Sequence, residues 1–210
     1  AKDISSLRIV QWAFRVILWI CGVKITVIGK ENMPKEAALY VGNHRSFFDI
    51  VIAYTHCKRL TGFVAKDSLA KVPGLRAWMK RLYCLFLDRS DVKQGMKVIL
   101  QAIEYIKQGV SMWIFPEGTR NTGDELSLLP FKEGSFKIAL KTGCPIVPVA
   151  INNTADILES HFPILKKNHV IIEYGTPIYP NELSRDEQKV IGATCQNIIG
   201  EMLVKNAKDI

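Results

Sequence analysis

A chain of 210 residues and 23.7 kDa carries 28 lysines and arginines against 20 acidic residues, for a formal net charge of +8 and a pI near 9.3. With 48% hydrophobic and 23% charged residues it is not intrinsically disordered, and 9 prolines and 14 glycines are too few for a low-complexity or collagen-like chain. The length suits one domain with a sizeable core. A basic, slightly apolar composition (mean hydropathy +0.10) points to an anionic partner: nucleic acid, a phosphorylated small molecule or an anionic membrane surface.

In chain order, Ile4 to Ile28 is strongly apolar but interrupted by Arg8, Gln11, Arg15 and Lys24, so no run reaches the 18 or so apolar residues of a spanning helix. Arg8, Gln11 and Arg15 are spaced i, i+3, i+7 and make one narrow polar stripe on a helix, with Trp12, Phe14, Ile17, Leu18 and Trp19 over the rest. That pattern suits a helix lying in a membrane interface, and equally one docked on the protein's own core. Residues 1–22 are therefore set apart as a membrane-associating helix ahead of one domain over 23–210.

Strand patterns follow at Lys24–Ile28, Ala38–Val41, Gly62–Ala65, Cys84–Leu87, Ser111–Phe115, Ile146–Ile151 and His169–Tyr174. Helical patterns fall at Phe47–Thr55, Val72–Leu82, Val92–Gln108, Ser135–Thr142 and Arg185–Ala207, the last announced by the capping-box pair Ser184 and Glu187. Alternating strands and helices predict an α/β domain with a mostly parallel or mixed central sheet flanked by helices, with its ligand site at loops beyond the strand ends. Five scattered cysteines (Cys21, Cys57, Cys84, Cys144, Cys195) in no CxxC spacing read as reduced core thiols of a cytosolic chain. An alanine start without a secretory signal suggests a processed or truncated chain.

Between Lys58 and Lys97 ten basic residues (Lys58, Arg59, Lys66, Lys71, Arg76, Lys80, Arg81, Arg89, Lys93, Lys97) face three acids (Asp67, Asp88, Asp91), a local charge of +7. Apolar and aromatic residues are interleaved with them, which suits a cationic surface touching something greasy. No helix-turn-helix, zinc-finger or RNA-recognition signature accompanies the charge.

Two segments hold groups capable of chemistry. His44 closes a strand-like run in Asn43-His44-Arg45-Ser46-Phe47-Phe48-Asp49. On a continuous helix His44 and Asp49 would point about 140° apart, but they can meet if His44 lies in the loop and Asp49 in the first helical turn. Ser46 and Asp49 have capping-box spacing, which starts the helix at about Phe47 and makes that meeting plausible. Phe115-Pro116-Glu117-Gly118-Thr119-Arg120-Asn121 follows another strand; Pro116 ends the ladder, Gly118 permits an unusual backbone angle, and Arg120 beside a hydroxyl suits a phosphate.

With Phe86-Leu87-Asp88-Arg89 and Pro145-Ile146-Val147-Pro148-Val149-Ala150-Ile151, these blocks resemble the glycerolipid acyltransferases, in particular the 1-acyl-sn-glycerol-3-phosphate (lysophosphatidic acid) acyltransferases, over roughly residues 24–178. The resemblance implies transfer of an acyl group from acyl-coenzyme A or acyl-carrier protein to the sn-2 hydroxyl of lysophosphatidic acid. The product would be phosphatidic acid, made by a peripheral or monotopic protein at the cytoplasmic face of an anionic membrane, with no metal, cofactor or nucleic-acid partner. His44 matches the family's general base and Asp49 the carboxylate that orients it. Glu117, Gly118, Thr119 and Arg120 match the acceptor-binding turn, Arg89 the arginine of the second block, and Lys66 a lysine credited with the acceptor phosphate. An imidazole with a reference pKa near ~6.5 suits proton abstraction at neutral pH, and a thiolate leaves readily, so no acyl-enzyme is required. Two positions depart from the family pattern: Tyr83 stands where many members have glycine, and Asn121 where serine is commoner. Other readings are a related acceptor such as glycerol-3-phosphate, or a non-catalytic basic module; a Ser-His-Asp hydrolase lacks its G-x-S-x-G elbow.

Overall fold

A computed structural model describes residues 2–88 and 91–210. Seven strands, β1 (Lys24–Ile28), β2 (Leu39–Gly42), β3 (Thr61–Lys66), β4 (Leu85–Leu87), β5 (Ser111–Ile114), β6 (Ile146–Asn152) and β7 (His169–Tyr174), form one sheet in the order β1-β7-β6-β2-β5-β3-β4. All neighbours are parallel except β6 and β7, so the sheet is mixed. β2 and β6 are buried along their whole length, as expected of strands covered on both faces. Pro148 is tolerated in the middle of this sheet because β7 ends beside it: its carbonyl accepts Gly175 N–H at 2.8 Å, and no return donor is needed.

The helices are α1 (Lys2–Ile20), α2 (Phe47–His56), α3 (Leu75–Arg81), α4 (Val92–Lys107), α5 (Lys137–Thr142), α6 (Arg185–Lys189) and α7 (Ile191–Asn206). One face of the sheet packs Val147, Ile151, Val170 and Ile172 against α1 and α2; the other packs Leu39, Met112, Ile146 and Ala150 against α4, α5 and α7. The expected helix at 72–82 is shortened by Pro73-Gly74 to 75–81. The one expected at 185–207 divides at Val190, where Gly192 N–H turns to Glu133 Oε2 at 3.2 Å instead of continuing the ladder. All five cysteines are free and buried.

Two of the three residues of the polar stripe on α1, Gln11 and Arg15, reach α2, while Arg8 is exposed. Gln11 Nε2 donates to Tyr54 O (3.0 Å) and Cys57 O (2.8 Å), and Arg15 Nη2 to Thr55 O (3.1 Å), so these side chains cap the C-terminal carbonyls of α2. Leu7, Val10, Phe14 and Leu18 pack on the core, while Ile9, Trp12, Trp19 and Ile20 stay exposed. Among the described residues no helix is long and apolar enough to cross a membrane.

The basic stretch does not form one face. Lys58 and Arg59 precede β3 and donate to the carbonyls of Lys30 and Lys35, Lys66 lies at the far end of β3, α3 lies on the α1 side and α4 on the other. Tyr83 adopts a left-handed backbone (φ 60), a conformation that costs a tyrosine roughly 1–2 kcal/mol and glycine almost nothing, so the position suits glycine and Tyr83 is held there at a cost. Its hydroxyl donates to Asp3 Oδ2 at 3.1 Å, and its ring meets Tyr105 edge-on at 5.1 Å.

Candidate active site

Where β2 runs out, a side chain continues its pairing: Asn43 Oδ1 accepts Ile151 N–H (2.8 Å) and its Nδ2 donates to Ile151 O (2.9 Å). The chain thus leaves the sheet in a fixed direction, and His44 follows in the loop. Ser46 caps α2 in extended backbone, with Asp49 completing the capping box. Fully buried Asp49 accepts at Oδ2 the N–H groups of Arg45 (2.7 Å) and Ser46 (2.8 Å) together with His44 Nδ1 (2.8 Å). Its Oδ1 accepts the hydroxyl of Thr154, from the end of β6. An oxygen already serving two N–H donors is an acceptor, so His44 donates from Nδ1, which in the neutral ring leaves the lone pair on Nε2. The imidazole lies on the Phe115 ring, centroids 4.2 Å apart and planes 16° apart, which fixes its rotation.

The turn after β5 fixes the backbone of His44. Glu117, buried, accepts His44 N–H at Oε1 (2.8 Å) and Leu129 N–H at Oε2 (2.9 Å), while Asn121 N–H donates to His44 O at 2.7 Å. Burial pushes the Glu117 carboxyl above its ordinary value, against the opposing pull of those two backbone donors. Gly118 has φ +75, and a side chain there would meet Lys132 Nζ at 2.7 Å. Asn121 also holds the following loop, accepting Gly123 N–H and donating to Ser127 O, both at 2.9 Å.

Lys66, Thr119 and Arg120 form a looser, exposed rim. Lys66 ends β3 on the same sheet edge as His44. Arg120 Nη1 pairs with Glu159 Oε1 at 3.3 Å, and Glu159 accepts Phe47 N–H (2.8 Å) and the Ser46 hydroxyl (2.7 Å) at the start of α2. Arg89 lies outside the described residues. Beside this edge a cleft of about 340 Å³ is lined by Ala65, Leu87, Met96, Ile99, Ile114 and Phe115, with Lys132 at Gly118. Its walls are mainly apolar, and Phe115 joins it to the His44 ring. Among the described residues no group of three or more His, Cys, Asp and Glu side chains is arranged to hold a metal ion.

Residues 24–152 match the family model described as Acyltransferase. The chain belongs to the acyltransferase family. It is 35% identical to the 1-acyl-sn-glycerol-3-phosphate acyltransferase of Borreliella burgdorferi, over 98% of this chain and 80% of that one. It is 30% identical to the Saccharomyces cerevisiae protein of the same name, over 95% of this chain and 67% of that one. Its fold matches the crystal structure of the 1-acyl-sn-glycerophosphate (LPA) acyltransferase PlsC from Thermotoga maritima with a TM-score of 0.81 and 27% identity, covering 95% of this chain and 78% of that one.

In this acyltransferase His44 and Asp49 meet as their spacing allows, and the Glu117–Asn121 turn holds the backbone of His44. Sequence reasoning missed Asn43, Thr154 and Glu159, which act from 105 to 113 residues away in three of their contacts. No local pattern announces such partners. Phe115 was legible only as a strand residue; its stacking on His44 depends on β5 lying beside β2.

Proposed function

We propose that this enzyme transfers an acyl group from a thioester donor, acyl-coenzyme A or acyl-carrier protein, to the sn-2 hydroxyl of 1-acylglycerol-3-phosphate, yielding phosphatidic acid at the cytoplasmic face of a membrane. The observation that carries this reading is the 2.8 Å bond from His44 Nδ1 to a buried carboxylate, which leaves Nε2 as the proton acceptor beside the Glu117–Arg120 turn. The acceptor's hydroxyl proton goes to Nε2 as its oxygen attacks the thioester carbonyl. The C–S bond breaks, the sulfur leaves as thiolate, and the imidazolium returns the proton to it. Asp49 holds the ring in one tautomer and offsets the charge formed on it.

The apolar cleft beside Phe115 suits a fatty acyl chain, and Arg120 and Lys66 suit the acceptor phosphate, with Arg89 expected to join them. The names of the relatives support the choice of acceptor. Direct transfer rather than an acyl-cysteine is supported by the thiols: burial raises all five, Cys57 and Cys195 to about 12, far from a reactive thiolate. Membrane association is supported by the tryptophans and isoleucines that α1 leaves exposed.

A panel of lysophosphatidate, glycerol-3-phosphate and other lysophospholipids, each with both donors, tests the reading on the wild type beside His44→Ala. Lysophosphatidate should have the highest kcat/KM, and His44→Ala should lower kcat by about 10³-fold or more. Preference for glycerol-3-phosphate overturns the acceptor; near-normal turnover by His44→Ala overturns the mechanism.

A further inference from the structure

The loop between β6 and β7 carries a feature that the transfer reaction does not use. Its stem is closed by Lys166 N–H donating to Ile157 O at 2.9 Å, with the Ile157 side chain fully buried in the core shared with α1 and α2. A tighter turn lies within it, Ile164 N–H on His161 O at 2.8 Å. From this anchored stem every residue from Phe162 to Lys167 is exposed, Phe162 by 77% and Ile164 by 63%. Loop tips are ordinarily small and polar. Here three large apolar side chains, Phe162, Ile164 and Leu165, project together and are followed at once by Lys166 and Lys167.

Topology puts this tip beside the active site. Because β7 is antiparallel to β6 and parallel to β1, the start of β7, the start of β1 and the ends of β2, β5 and β6 share one edge of the sheet. The last turn of α1 arrives at that edge as well: Lys24 N–H donates to Asn168 O at 2.8 Å. The Lys167 side chain crosses Gly22 so closely that a Cβ there would lie 2.6 Å from Lys167 Cγ. Trp19, 80% exposed, and Ile20 therefore flank the loop on one side. On the other side Glu159, three residues before the tip, binds Phe47 N–H, and the Phe47 ring is half exposed.

We propose that residues 162–165 are a second membrane contact, entering the surface of an anionic bilayer beside the last turn of α1 while Lys166 and Lys167 engage its headgroups. This rests on the reading that the acceptor is a membrane lipid. A bilayer fits better than a protein partner because apolar tip, flanking lysines and neighbouring tryptophan reproduce the apolar, cationic and interfacial layering of a lipid surface. With two contacts on one edge the protein is held in a single orientation, the His44 edge toward the lipid.

The test compares wild type, Phe162→Ser/Ile164→Ser/Leu165→Ser and Lys166→Gln/Lys167→Gln as full chains. Binding is measured by co-sedimentation with phosphatidylcholine vesicles and with vesicles containing phosphatidylglycerol. Turnover is measured on long-chain acceptor in those vesicles and on a short-chain lysophosphatidate below its micelle concentration. The triple variant should partition about tenfold or more weakly to both vesicles. The lysine variant should lose about fivefold per charge on the anionic vesicles alone. Both should lose turnover on vesicle-borne acceptor and keep it on the monomeric one. Unchanged partitioning of the triple variant overturns the proposal, as does failure of the wild type to bind anionic vesicles. So does loss of turnover on the monomeric acceptor, which would make the loop part of the site, or a change of oligomeric state in place of vesicle binding. Absence of wild-type turnover on the monomeric acceptor would instead overturn the acceptor assignment, independently of the binding result.

Discussion

The two halves of the site are built differently. His44 and Asp49 sit among buried hydrogen bonds from Asn43, Arg45, Ser46, Thr154, Glu117 and Asn121, drawn from three loops. Arg120 is half exposed and held by one ion pair at 3.3 Å. The contrast teaches which step needs rigidity. Proton transfer depends on a ring held in one tautomer and one plane, so its geometry is fixed before substrate arrives. A phosphate can be met by long cationic side chains that adjust to it.

Substitutions at the buried half should act on kcat. His44→Ala and Asp49→Asn should each lower kcat by about 10³- to 10⁴-fold with little change in KM, read from steady-state kinetics. They should differ in stability: His44→Ala leaves Asp49 with three donors, whereas Asp49→Asn also disrupts the α2 cap and should cost about 1–3 kcal/mol in denaturant unfolding. Equal stability of the two variants would break the dual role given to Asp49.

Glu117→Gln is the next largest. Its amide can accept only one of the two N–H groups now bound, so the His44 loop loosens and kcat should fall about 10- to 100-fold. The pH dependence of stability carries a second signature. Because burial raises the Glu117 carboxyl, the folded chain holds that proton more tightly than the unfolded one. Its contribution favours folding below the unfolded value and is lost as pH rises through the folded one. Glu117→Gln should flatten that part of the stability curve in denaturant titrations at a series of pH values.

Arg120→Ala should act on the other half, raising KM for the phosphorylated acceptor about tenfold while kcat changes little. A fall in kcat alone would place Arg120 with the rigid half and erase the contrast.

How far the sequence disclosed all this follows the same division between local and distant causes. The strands were legible because each is a short apolar run between breakers, and the start of α2 because Ser46 and Asp49 are three residues apart. The reversal of β7 was not, since strand direction is decided by pairing between residues far apart in sequence. The polar stripe of α1 was visible but its setting was not: an interfacial helix and one docked on the core fit the pattern equally until the C-terminal carbonyls of α2 are placed beside Gln11 and Arg15. Thr154 and Glu159 carried no signal, because each acts only once β6 delivers it to the end of β2.

The smallest expected effect sharpens the comparison most. Glu159 bridges Arg120 and the start of α2, with one oxygen on Arg120 and Phe47 N–H and the other on the Ser46 hydroxyl. It thereby stabilises α2, whose N-terminus favours negative charge, and under the proposed assignment of Arg120 to the acceptor phosphate it would compete with the acceptor for that guanidinium. Removing its charge should therefore move two quantities in opposite senses. Glu159→Gln should weaken folding by about 0.5–1 kcal/mol and lower KM for the acceptor two- to threefold, roughly the worth of one exposed ion pair. In Arg120→Ala the same change should leave KM where the single substitution put it, since there is no guanidinium left to release. A double-mutant cycle on KM reads that coupling directly, and additive effects would separate Glu159 from the acceptor site.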